Sequence, residues 1–239
     1  MKSLSQSFQR ALKSPPILGA LLFLLLTPGT AHAFGKKPVT LPPAPPVTPV
    51  QPTGPSNPAD VIRARWDGVT QDGSAWSQHV YDNIPALAPN LLSRNPNDIA
   101  QFCPGYPALS LSDKKNFWVY LLSSLAQLES DFDPNASYTE NFKDSNGNYV
   151  VSLGLLQLSL GDGANYGCGF GSNADIENPD KNLDCSLRIL NKLVGQNGQL
   201  AGMSSAGAWQ GGARYWSTLR APKVSTVEGW TRALPICAQ

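Results

Sequence analysis

The stretch Leu125-Ala126-Gln127-Leu128-Glu129-Ser130-Asp131-Phe132-Asp133-Pro134-Asn135-Ala136-Ser137, followed after a polar insert by Ser152-Leu153-Gly154-Leu155-Leu156-Gln157-Leu158-Ser159, decides how this chain is read. It closes an apolar run that starts near Ser112, a predicted helix N-cap, with Asp113 in the first turn where an acid complements the helix dipole. At about 100° per residue, Trp118, Leu122, Leu125 and Glu129 fall within about 60° of one another on the helical wheel. A carboxylate therefore ends a buried stripe. Burial without a basic partner disfavours its charged form, and the last helical turn faces it with the negative end of the dipole, so both effects predict a raised pKa for Glu129. Such a group donates a proton near neutral pH. Pro134 drives Asp133 out of the helical region, which turns the chain soon after Glu129 and leaves it at an edge.

Between the two halves, Tyr138 to Val151 centres on Asn146-Gly147, a two-residue hairpin signal with Phe142 on one side and Tyr149-Val150-Val151 on the other. A small β-hairpin is expected beside Glu129, with Lys143-Asp144-Ser145 leading into its turn. Ser159 to Gly171 is glycine-rich, but without a preceding strand or a Lys-Ser/Thr pair it reads as an irregular groove wall, not a phosphate loop. Further on, Asp180 to Leu193 predicts a second amphipathic helix packing through Leu183, Leu187, Leu190 and Val194. Ser204 to Leu219 predicts a third, carrying Trp209, Tyr215 and Trp216 as core aromatics. Upstream, Asp60 to Leu92 reads as a cap of short helices with Trp66, Trp76, Val80, Tyr81 and Ile84 inside, Pro85, Pro89 and Pro96 as breaks, and His79 packed or capping.

Glu129-Ser130-Asp131-Phe132-Asp133-Pro134-Asn135-Ala136 and Gly154-Leu155-Leu156-Gln157-Leu158 resemble the paired E-S-x-F-[DN]-P-x-A and G-L-M-Q-[IL] motifs of the soluble lytic transglycosylase and goose-type lysozyme superfamily. Weaker matches follow in the same order: Asn178-Pro179 with Asn182-Leu183 and Leu187 to Leu190, then Ala208-Trp209-Gln210-Gly211-Gly212 with Arg214-Tyr215. The chain departs from the family where Leu156 replaces the methionine and Trp209-Gln210 replace a Tyr-Asn pair. It also departs in carrying Ser137 one place early and in the longer insert before Gly154. The resemblance implies a mainly helical, lysozyme-like α+β domain that cleaves the β-1,4 bond after muramic acid in peptidoglycan, with Glu129 as the acid and no cofactor. It also implies a substrate-binding set of Ser130, Ser137, Gly154, Gln157, Trp209, Gln210 and Tyr215.

The termini and composition fit that setting. Residues 1–33 carry Lys2, Arg10 and Lys13, a ten-residue apolar run from Ile17 to Leu26, and Ala31-His32-Ala33, the pattern of a signal peptide. The run is well short of the roughly 20 residues that span a bilayer. Residues 34–59 are a proline-dense linker, and 60–239 suit one catalytic domain. Without the signal peptide, 15 basic side chains stand against 17 acidic ones, a formal charge of −2 and no basic footprint for nucleic acid. Cys103, Cys168, Cys185 and Cys237 allow three pairings, of which Cys168 with Cys185 and Cys103 with Cys237 are preferred in an oxidising compartment. A soluble, monomeric, periplasmic or secreted protein is expected, without stable membrane insertion. No metal is expected either, since the cysteines lack C-x-x-C spacing and His79 is the single histidine after residue 33.

Hydrolysis is the expected mechanism, with the transglycosylase reaction as the alternative. A transglycosylase needs only Glu129, because the substrate's own 6-hydroxyl closes an anhydro ring, whereas an inverting hydrolase needs a second carboxylate about 6.5 to 9.5 Å away to activate water. Glu140 and Asp144 lie on the insert, and Asp144 is the preferred second acid because the hairpin would fix it. Glu129, Asp131, Asp133, Glu140 and Asp144, offset in sequence only by Lys143, predict an anionic groove that favours a de-N-acetylated glucosamine with its ammonium. A non-catalytic glycan-binding module and a cysteine hydrolase pairing Cys103 with His79 are the alternatives outside this class.

Overall fold

The computed structural model describes residues 61–238, so the expected signal peptide and proline-rich linker lie outside the described residues. The described part is mainly helical with two small antiparallel hairpins. Its elements are α1 (Gly73–Leu87), α2 (Pro89–Ser93), α3 (Ile99–Phe102), α4 (Leu111–Ser130), β1 (Ser137–Lys143), β2 (Tyr149–Leu153), α5 (Leu160–Tyr166), α6 (Asn173–Glu177), α7 (Pro179–Asn197), β3 (Ala201–Met203), β4 (Trp209–Gly211) and α8 (Val224–Arg232). Among the described residues no helix is long and apolar enough to cross a membrane.

Helix α4 is the buried centre. Ser110, not Ser112, caps it: Ser110 is extended and its hydroxyl accepts the Asp113 N–H at 3.1 Å. Ser112 lies inside the first turn and bonds the Tyr81 hydroxyl at 2.7 Å, joining α4 to α1. Trp118, Leu122 and Leu125 are fully buried. Trp118 Nε1 donates to Leu91 O at 3.0 Å and to Tyr106 Oη at 2.8 Å, so its one polar atom is satisfied inside the core. Tyr106 and Phe117 meet edge to face at 5.1 Å on the same side.

Helices α1 and α2 pack on α7, and α8 packs on α4. Pro85 does not break α1. It sits in the last turn, and the helix ends two residues later, before Pro89 opens α2 at a position where its missing N–H costs nothing. His79 ties α1 to the start of α7, with Nε2 2.8 Å from Asp184 Oδ1 and Nδ1 3.7 Å from Asp180 Oδ1. Cys168–Cys185 and Cys103–Cys237 are both disulfides, closing sequence separations of 17 and 134. In the chain-entropy picture these stabilise by about 3 and about 5 kcal/mol. With Cys103 bonded, no free thiol remains for a cysteine hydrolase among the described residues.

Three local readings are corrected. Ser159 to Gly171 is not wholly irregular, because Ser159 and Asp162 form a capping box that starts α5. The predicted helix over Ser204 to Leu219 is instead the β3–β4 hairpin followed by two 3-10 turns, Gly212–Arg214 and Ser217–Leu219. Gly211 explains the change: its φ is +59°, and a Cβ there would sit 2.2 Å from Gln199 O, so close backbone passage displaces helical packing. The Asn146-Gly147 hairpin does form, but its loop spans 144–148, not two residues. Asp144 closes it, with Oδ1 accepting the N–H groups of Asn146 and Asn148 at 2.9 Å each.

Candidate active site

The end of α4 is built to stop. Asp131 and Phe132 are both left-handed, with φ of 53° and 67°, and Phe132 folds back into the core. This brings the Asp133–Ala136 turn against the segment 154–158. Ser130 Oγ donates to Leu155 O at 2.8 Å, Gly154 N to Ala136 O at 2.9 Å, and Gln157 Nε2 to both Ala136 O at 3.2 Å and Gly154 O at 3.0 Å. The two sequence motifs are thus one hydrogen-bonded unit. Ser130 spends its hydroxyl on backbone carbonyls, and Gln157 spends its amide protons the same way.

Asn182, fully buried on α7, holds that unit from beneath. Its Oδ1 accepts Leu156 N at 3.1 Å, and its Nδ2 donates to Leu153 O at 3.2 Å and Ile176 O at 2.9 Å. Gly154 lets the loop come this close. Its φ is +75°, and a Cβ would lie 2.5 Å from Asn182 Nδ2 and 2.7 Å from Ile176 O. Trp216 Nε1 closes the other side by donating to Leu156 O at 3.0 Å.

Glu129 sits at the edge of this unit, partly open to solvent with protein packed around its carboxyl. Thr218 Oγ1 donates to Glu129 Oε1 at 2.7 Å. Burial pushes the Glu129 pKa up to about 7, and Glu140 adds to the rise, while the Thr218 hydrogen bond and the Lys223 and Arg220 charges oppose it. The expectation of no basic partner is therefore corrected. Arg220 and Lys223 arrive from a segment about 90 residues away. The surroundings of Glu129 are less anionic than the local sequence predicts.

Glu140 is the one fully buried residue of β1 and is 3 % exposed. The β1–β2 register runs regularly through Ser137↔Leu153, Tyr138↔Ser152 and Thr139↔Val151, then shifts before Lys143↔Tyr149. Glu140 begins this irregular stretch, of the kind that re-aims side chains, and accepts the Ser152 hydroxyl at 2.7 Å. Its charge acts on Glu129. Asp144 is exposed at the hairpin turn with Oδ1 committed to backbone N–H groups, and Ser137 is exposed where β1 begins.

Trp209 and Gln210 lie half-buried on β4, the indole facing the buried Arg220 guanidinium at 5.0 Å. Arg220 Nε donates to Ala213 O at 2.7 Å. Tyr215 donates to Asp162, whose carboxyl burial also pushes upward, and its ring packs on Trp216 at 4.7 Å. Thr218, Arg220, Lys223 and Ser152 escaped the sequence reading, since nothing in Trp216-Ser217-Thr218-Leu219-Arg220 is periodic or motif-like. Among the described residues no group of three or more His, Cys, Asp or Glu side chains could hold a metal ion. A cavity of about 600 Å³ between the N-terminal segment and α1, lined by Val61, Arg63, Asp67 and Gln78, includes none of these site residues.

The model of the transglycosylase SLT domain family matches residues 108–220. The solved structure of wild-type DslA, form 2, is 46 % identical with a TM-score of 0.71, covering 75 % of this chain and 99 % of that one. The chain belongs to the transglycosylase SLT domain family. Two glutamate-to-glutamine variants of DslA match over the same shares at 45 % and 44 % identity, each with a TM-score of 0.71. No curated protein matches the chain. As an SLT domain it is a glycosidase of peptidoglycan, a polymer outside the cytoplasm, and its two disulfides fit an exported protein.

Proposed function

We propose that this SLT domain hydrolyses the β-1,4 bond between N-acetylmuramic acid and glucosamine, with Glu129 as general acid and Glu140 as the base that activates water. The observation that carries the reading is the second carboxylate: Glu140 is buried, held by Ser152, and close enough to act electrostatically on Glu129. A pure transglycosylase has no need of it. Glu140 therefore replaces Asp144 as the preferred second acid. The spacing supports the choice, because the two DslA variants alter glutamates eleven positions apart, the separation of Glu129 and Glu140. Gln157, Trp209, Gln210 and Tyr215 form the glycan-facing surroundings, while Gly154, buried against Asn182, and Ser130 act through the loop they shape.

In the reaction Glu129 gives its proton to the glycosidic oxygen as the C1–O bond breaks and the electron pair stays on that oxygen. Water attacks C1 and loses its proton to Glu140. Mass spectrometry of the released muropeptides in ¹⁸O-water is the test, and reducing muramic acid ends carrying one ¹⁸O are expected. Anhydro-muramyl ends alone would assign the transglycosylase reaction instead, the reading favoured by the family's name. Full clearing activity in Glu129→Gln would refute Glu129 as the acid, and binding to peptidoglycan without any cleavage by the parent protein would leave only a glycan-binding module.

The N-terminal organisation belongs to the same proposal. Residues 1–33 direct export, 34–59 form a linker, and 60–239 act as a monomeric enzyme in the periplasm or beyond. N-terminal sequencing of the exported protein should begin near Phe34.

A further inference from the structure

The acid Glu129 is held by a side chain far from both motifs. Thr218 lies in the 3-10 turn Ser217–Leu219, is fully buried, and donates from Oγ1 to Glu129 Oε1 at 2.7 Å. That turn is itself fixed on two sides, by Trp216 Nε1 on Leu156 O at 3.0 Å and by Arg220 Nε on Ala213 O at 2.7 Å. Thr218 is thus a rigidly mounted donor aimed at one carboxyl oxygen.

A neutral carboxyl has one carbonyl oxygen, the better acceptor, and one hydroxyl, the donor. A donor fixed on Oε1 makes Oε1 the carbonyl oxygen and leaves the transferable proton on Oε2. We propose that Thr218 is a positioning residue for this reaction: it orients the Glu129 carboxyl so that Oε2 presents the proton to the glycosidic oxygen, and it keeps its bond to Oε1 as Glu129 becomes a carboxylate. The inference rests on Glu129 being the acid. The step balances, with the proton moving from Oε2 to the leaving oxygen and the bonding pair of C1–O going with that oxygen. A hydrogen bond to a carboxylate is stronger than one to a neutral acid, so the contact favours the product side of proton transfer.

The groups that act on Glu129 from the surrounding elements are Glu140 from β1, Tyr215, Arg220 and Lys223 from the C-terminal segment, and Thr218 itself. Thr218 donates to it directly by a side-chain hydrogen bond, whereas Glu140, Lys223 and Arg220 act on it through their charges. Removing that donor while keeping the side-chain shape therefore isolates its contribution.

The experiment compares Thr218→Val, Thr218→Ser and Glu129→Gln on purified peptidoglycan across pH. Thr218→Val should lower kcat roughly 10-fold, about 1.4 kcal/mol, with KM unchanged, and should move the alkaline limb of the kcat profile to higher pH. Thr218→Ser should restore both. Parental kcat and pH profile in Thr218→Val would overturn the inference, as would an equal loss in Thr218→Ser. If Thr218→Val does not fold, Thr218→Ala read by ¹³C titration of the Glu129 carboxyl serves instead, with an unmoved titration overturning it. Activity in Glu129→Gln would instead refute the acid assignment, so the two failures are distinguishable.

Discussion

Ser152 Oγ donates to Glu140 Oε1 at 2.7 Å across the β1–β2 hairpin, making the single buried residue of β1 an anchored acid. Tyr138, the cross-strand partner of Ser152, stands on the same hairpin face. If this carboxylate activates water, Glu140→Gln should lose about 100-fold or more in release of reducing ends. Asp144→Asn keeps the Oδ1 acceptor of the turn and should stay close to the parent. Reducing-end assays on both variants decide, and the reverse order of damage would return the role to Asp144.

As the proposed acid, Glu129 must be protonated to act. With its pKa at about 7, the alkaline limb of activity should fall through that pH, and Glu129→Gln should be inactive throughout. Stability carries the same sign. The folded pKa lies above the ordinary 4.5, so the native state binds more protons than the unfolded chain between those values and loses stability as pH rises through the window. Glu129→Gln should therefore gain relative to the parent on going from pH 4.5 to pH 8. The gain is on the order of 1–2 kcal/mol after allowing for partial solvent access. Thermal denaturation at the two pH values tests this, and a pH-independent difference would contradict it.

Asn182 makes three hydrogen bonds in a fully buried site. Asn182→Ala takes away the partner of Leu156 N and of Ile176 O, while Leu153 O keeps the Leu158 N–H, and should cost about 3 kcal/mol. Denaturant midpoints measure it. A loss of activity greater than the loss of folded protein is also expected, because the loop carrying Gln157 is released. A neutral substitution would show that water replaces the amide.

A glucosamine bearing a free ammonium should be cleaved faster than its acetylated form, through attraction to the Glu140 carboxylate. The positive charges of Arg220 and Lys223 limit that attraction, which amounts to about 1 kcal/mol per charge pair in water and more in a partly dry site. Rates on acetylated and enzymatically deacetylated sacculi should differ most at low salt. Equal rates at low salt would remove the preference.

The central helix, its candidate acid and the pairing of the two motifs were legible in the chain alone. Helical periodicity in Trp118, Leu122, Leu125 and Glu129 forced a carboxylate onto the edge of a buried stripe, and Pro134 forced the turn that follows. Four cysteines allowed three pairings, and the preferred one is the one that forms. These are short-range constraints, written in spacing and residue type. The β3–β4 hairpin replaces the predicted helix because backbone passage at Gly211, not local propensity, decides that segment. Only the tertiary structure decided what surrounds Glu129. Thr218, Arg220 and Lys223 reach it across about 90 residues of sequence, and Glu140 instead of Asp144 turns inward where the β1–β2 register becomes irregular. Hydrogen bonds and charge interactions between distant segments leave no periodic trace in the chain, so the candidate acid was legible from its own helix while the groups around its carboxyl were not.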